Sequence, residues 1–202
     1  MTIQEARPSR AERQAQTREK LIEVARELFL DDGYAATSLD KVAVAAGFSK
    51  GAVYSNFSGK EELCMAVLDT IHAQQIEGVV SAFSSDADLE GRIDAFTAWA
   101  REGLGEPRST ALEVEFAAVA RQSEYVADGL VKRHREITDV LTDLIRRVTK
   151  DAGIALPMEA ERAAVALLSL GIGLGAMRSL DPAIDVDVFG QTMKVLLRDQ
   201  SR

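Results

Sequence analysis

The sequence predicts an all-α protein of about nine helices, three short-to-medium ones at the N-terminal end joined to a larger helical bundle. Three observations predict it. Ala, Leu, Glu and Arg dominate the text, and only four prolines interrupt it. Apolar residues recur at three- and four-residue spacing, with none of the two-residue alternation of a half-buried strand. The breaks carry the glycines, prolines and Ser/Thr/Asp caps that end and start helices. At 202 residues the chain buries a sizeable core either as one large domain or as two small ones.

The elements follow in order. Ser9 and Glu12 have capping-box spacing, and Leu21, Val24, Leu28 and Phe29 form the apolar stripe of the first helix. Gly33 stands where that helix needs a left-handed residue to stop. Thr37 and Asp40 read as a second capping box, opening a short helix to about Ala46, and Gly47 breaks it. Ser49 caps a third helix through about Asn56. Ser58 and Glu61 open a long fourth helix, with Leu63, Val67, Ile71 and Gln74 on one face. Ser84 to Asp88 is a loop by composition. Further helices are expected near 88–104, 108–121, 123–151, 157–179 and 185–199, separated by Pro107, Gly153 with Pro157, and Pro182. The domain division expected is 1–60 and 61–202.

Charge is unevenly spread. The formal net charge is −8, yet residues 1–60 hold nine Lys/Arg against eight Asp/Glu, and the rest holds 15 against 24. The acidic excess therefore sits away from the N-terminal part, where it limits nonspecific association without blocking that part's surface. Cys64 is the only cysteine, which excludes an intrachain disulfide and fits a reducing compartment. The polar, charged N-terminus carries no readable secretion signal, and the longest uncharged stretch, 163–177, falls short of the roughly 20 residues that span a bilayer. No membrane association and a cytoplasmic location are expected.

One spacing turns three N-terminal helices into a functional motif. Ala43, Gly47 and Val53 stand four and then six residues apart. A small residue permits close crossing, a glycine takes the positive φ of the turn, and an aliphatic residue locks the second helix: the skeleton of a helix-turn-helix. Residues 17–63, TREKLIEVARELFLDDGYAATSLDKVAVAAGFSKGAVYSNFSGKEEL, resemble the DNA-binding domain of the TetR family. The resemblance rests on Ala25, Leu28, Phe29, Gly33, Tyr34, Thr37, Ser38, Val42, Ala43, Ala46, Gly47, Ser49, Gly51, Tyr54, Phe57, Lys60, Glu61 and Leu63. Asn56 departs from it, standing where the family usually has histidine or tyrosine.

The residues suit the chemistry. Lys50, Gly51, Tyr54, Ser55 and Asn56 are expected on the exposed side of the third helix, with Val53 and Phe57 facing the core. Lys50 can donate to guanine O6/N7 or to phosphate, and Gly51 lets the backbone approach base edges. Tyr54 and Ser55 hydroxyls suit phosphate oxygens, as do Lys60 at the start of the fourth helix and Thr37 and Ser38 at the start of the second. Arg7, Arg10 and Arg13 read either as a minor-groove arm or as a solvated tail.

The resemblance implies that the remaining helices bind a small-molecule effector and dimerise through the last two, near 157–179 and 185–199. The partners expected are therefore a double-stranded DNA operator, an effector and a second copy of the chain. Phe96, Trp99, Phe116 and Tyr125 are aromatic candidates for an effector pocket, and equally for plain core. No cofactor is implied. Gly171, Gly173 and Gly175 lack the preceding strand and the spacing of a nucleotide loop and read as close-packing positions. His72 and His134 are isolated, without Cys or carboxylate neighbours at ligand spacing, so no metal site is expected, and Cys64 has no catalytic context. The chain thus reads as a repressor released by an apolar or amphipathic effector. The rival reading, a helical enzyme or carrier with a vestigial DNA-binding head, lacks a catalytic constellation.

Overall fold

A computed structural model describes residues 9–103 and 106–197, and among these it contains nine α-helices and no strand. The chain divides into two compact units, one through Asp69 and the other from Thr70. Helix α4 (Lys60–Phe83) runs across that division. Arg7 lies outside the described residues.

In the first unit, α1 (Arg10–Ala36) packs on α2 (Leu39–Ala46) and α2 on α3 (Lys50–Tyr54), while Lys60 and Glu62 in the first turn of α4 reach back to α1. Leu21, Ala25 and Phe29 of α1, Val42 and Ala43 of α2, Val53 and Phe57 beyond it, and Leu63 and Val67 of α4 are all nearly solvent-free. Ser9 caps α1 in a reciprocal box with Glu12, as expected. Gly33 adopts the predicted positive φ (83°), but the helix resumes for another turn and ends only at Ala36.

That extra turn corrects the cap of α2. Ser38, not Thr37, is the N-cap, its hydroxyl accepting the Lys41 N–H at 3.2 Å. Thr37 is buried instead, its hydroxyl donating back to the Gly33 and Leu28 carbonyls at 3.0 and 3.2 Å. Gly47 closes α2 in the left-handed region (φ 73°), which allows the turn into Ser49, the cap of α3. The start of α4 differs by one residue from the predicted box. Ser58 pairs with Glu62 rather than Glu61, both its N–H and its hydroxyl donating to Glu62 Oε2 at 2.8 Å.

The second unit holds the rest of α4, α5 (Leu89–Gly103), α6 (Pro107–Val119), α7 (Glu124–Ala152), α8 (Ala160–Leu180) and α9 (Asp187–Leu196). α8 packs on α6 and α7, and α9 packs on α5. Phe96 anchors one core, with ring centroids 4.9 Å from Phe189, 5.6 Å from Trp99 and 5.9 Å from Phe83. Gly78 on α4 leaves the space Trp99 fills, since a β-carbon there would collide with the indole. Arg101 holds Asp187 through two hydrogen bonds of 2.6 and 2.8 Å, stitching α5 to α9.

α8 lies within three residues of the expected 157–179, but it is more membrane-like than the uncharged stretch alone suggests. Its 21 residues carry the uncharged 163–177 stretch further at both ends, and by length and composition alone it would reach across a bilayer. One face, with Ala163, Ala164, Gly171, Leu174 and Gly175, is buried within the unit. The other leaves Val165 and Ile172 about half exposed, and α9 similarly leaves Val188 and Val195 open. The expectation that His72 has no carboxylate neighbour is also corrected. His72 Nε2 lies 3.0 Å from Glu113 Oε1, because α4 and α6 bring together residues 41 positions apart.

Candidate nucleic-acid interface

The exposed surface of the first unit gathers around α3. Its five residues have room for one buried anchor, Val53, and this directs Lys50, Gly51 and Tyr54 outward. Tyr54 is 58% exposed, and Ser55 follows it on the same exposed side. Ser38 is also exposed at the start of α2. The structure therefore brings five of the eight predicted contact residues to the surface of one small unit.

The other three are buried or half-buried. Thr37 is buried and spent on α1 carbonyls, so it has no hydroxyl to offer a phosphate. Asn56 turns inward, its Nδ2 donating to the Ala52 carbonyl at 2.8 Å, which ends α3. Lys60 bends back over the end of α1, donating to the Tyr34 carbonyl at 2.9 Å with its ammonium 4.1 Å above the Tyr34 ring. Tyr34 is pushed up to about 12, by burial first and then by neighbouring Cys64 and Glu61. It stays a neutral phenol at working pH, a fitting floor for a cation.

Sequence reading missed the residues that hold this surface in place. Arg18 of α1 donates to the Asn56 carbonyl at 2.5 Å, lies 4.1 Å above the Phe57 ring and faces Glu62 at 3.5 Å. Glu62 is held below the usual carboxylate range chiefly by the Ser58 N–H. Both look like ordinary surface charges in the text; only the fold shows that they pin the α3–α4 turn to α1. Asp40, read as a cap, instead forms an ion pair with Lys50. Arg10 and Arg13 lie exposed on the first turn of α1.

The aromatic pocket candidates in the second unit separate. Phe96 and Phe116 are buried core and Trp99 is half-buried against the Phe96 cluster, whereas Tyr125 is 54% exposed at the start of α7. A surface groove of about 310 Å³ lies elsewhere, lined by Phe83, Asp86, Arg92, Leu144 and Arg147 among others, and none of the four aromatics borders it. Among the described residues no group of three metal-ligating side chains occurs.

Comparison with known proteins agrees with this architecture. Residues 21–67 match the family described as bacterial regulatory proteins, tetR family. The chain is 31% identical to the HTH-type transcriptional activator FasR of Mycolicibacterium smegmatis over 163 residues, covering 77% of this chain and 68% of that one. It is 30% identical to the HTH-type transcriptional regulator TtgR of Pseudomonas putida, covering 89% of this chain and 87% of the relative. In fold it is similar to the reduced form of NemR from E. coli, with a TM-score of 0.76 at 19% identity, covering 93% of this chain and all of the other. These relatives are regulators, not enzymes, and this chain belongs to the TetR family of bacterial transcriptional regulators.

Proposed function

We propose that this regulator is a cytoplasmic homodimer that represses transcription from a palindromic operator and is released by a small apolar or amphipathic effector. The observation that carries the DNA-reading half is the outward face of α3, with Lys50, Gly51, Tyr54 and Ser55 exposed above a buried Val53. Lys50 and the open backbone at Gly51 read base edges, while Tyr54, Ser55 and Ser38 fix the register on phosphates. Residues 1–60 are the DNA-binding part and 61–202 the effector and dimerisation part. Dimerisation draws support from α8 and α9, whose apolar residues Val165, Ile172, Val188 and Val195 are left open by a single chain.

Effector control follows from α4, which belongs to both units as one continuous helix. Phe96, Trp99 and Phe116 are already packed, so a ligand entering among them selects a different packing of the bundle. If that packing tilts α4, the two recognition helices of a dimer lose the separation of about 34 Å that one duplex turn demands. The name of the M. smegmatis relative favours a second reading, activation instead of repression. The footprint position relative to the promoter separates the two.

Gly51→Val tests the contact face without disturbing the fold. A β-carbon at Gly51 would meet only Ser49 Oγ, at 3.8 Å, so the free protein accommodates it. The unfolding midpoint is expected to stay unchanged while affinity for the best duplex enriched from a random pool falls about tenfold, the order of one lost base contact. An unchanged affinity would remove α3 from the interface.

A further inference from the structure

Asp40 on the first turn of α2 and Lys50 at the start of α3 are joined by an ion pair between Oδ2 and Nζ. The two side chains are 50% and 67% exposed, and a pair so open to solvent adds little to stability. The α2–α3 angle does not need it either, because Gly47 sets the turn and Ala43 and Val53 are buried at the crossing. The pair stands on the surface that presents Tyr54 and Ser55, and its consequence is for what that surface binds.

We infer that Asp40 is a specificity-determining residue, which reserves Lys50 for a base edge and withholds it from the phosphate backbone. The inference rests on the reading of Lys50 as a DNA contact. A lysine ammonium carries three N–H donors. Asp40 occupies one and leaves two, the number that guanine O6 and N7 accept in the major groove. The pair as a whole carries no net charge, so it displaces few counterions and gains little from phosphate, whereas an unpaired lysine gains from any duplex. Lys41 is matched in the same way by Asp32, at 2.7 Å. The nine basic and eight acidic residues of positions 1–60 fit this arrangement, in which attraction to arbitrary DNA is kept low.

The test compares the full-length protein with Asp40→Asn, Lys50→Ala and the double variant, using a random-sequence duplex and the best duplex the wild type enriches from a random pool. Each is titrated across a salt series. Asp40→Asn is expected to bind the random duplex about fivefold more tightly, with a salt slope steeper by about one per subunit. The enriched duplex gains less, so the ratio of the two affinities falls. In the Lys50→Ala background the same Asp40 change is expected to leave that ratio where it was. Unfolding midpoints are taken alongside, with Asp40→Ser as a second variant, because loss of a first-turn acid moves stability but not the ratio. An unchanged ratio in Asp40→Asn, or the same drop with and without Lys50, overturns the role of Asp40. If Lys50→Ala alone changes neither affinity nor preference, the reading of Lys50 as a base contact fails and the role of Asp40 with it. If Lys50→Ala relaxes preference while Asp40→Asn does not, only the role of Asp40 fails.

Discussion

Replacing Ile172 by aspartate is expected to turn the proposed dimer into a monomer and to reduce affinity for the enriched palindromic duplex by about 30-fold or more. Ile172 lies on the outer face of α8, 47% exposed in the single chain, while Gly171 and Leu174 beside it face the bundle. The substitution adds no charge to the unit's own core, so the subunit still folds. In a dimer the carboxylate would be buried against the partner's apolar face, a desolvation of several kcal/mol without a compensating cation. A monomer keeps one half-site and loses the second. Specific dimeric binding typically exceeds nonspecific binding by about 10³ to 10⁷, and half of that free energy corresponds to a factor of roughly 30 to 3,000. Light scattering with parallel DNA titrations checks it. A variant that remains dimeric and keeps its operator affinity would take α8 out of the interface.

Phe116→Ala is expected to destabilise the second unit by about 3–5 kcal/mol, the usual loss when a fully enclosed phenylalanine is truncated. Phe116 has no exposed surface and sits on α6, which packs against both α7 and α8. No relaxation of an exposed loop can fill the void, so the cavity adds to the lost transfer free energy. Denaturant unfolding monitored by helical circular dichroism measures it. A loss below about 1 kcal/mol would contradict tight packing around Phe116.

Most of the architecture was legible because helix signals are local. The Ser9–Glu12 box, the left-handed Gly47 and the Ser49 cap each declare themselves within four residues, and all stand as read. The errors begin where a local signal had two equivalent partners. Thr37 and Ser38 both have cap chemistry, and the choice between them was decided by the extra turn of α1 beyond Gly33, which buries one hydroxyl and frees the other. The same ambiguity exchanged Glu61 for Glu62 opposite Ser58. Site residues were legible as a set, yet their occupancy was not. Lys60 is engaged by a carbonyl 26 positions away, Lys50 by a carboxylate ten positions away, and Arg18 by the Asn56 carbonyl 38 positions away. No periodicity records contacts of that range. For the aromatic candidates, residue type told nothing of depth: Phe116 is enclosed and Tyr125 lies open.

The central claim is that two copies of this chain read a symmetric site through α3. Sequencing the duplexes that the purified protein retains from a random pool tests it most directly. The account predicts a single enriched motif with two inverted half-sites, centred about one helical turn apart at 10–10.5 base pairs, and a contact guanine whose enrichment disappears in Lys50→Ala. Enrichment of one unpaired half-site, or a pool that stays random, would contradict it.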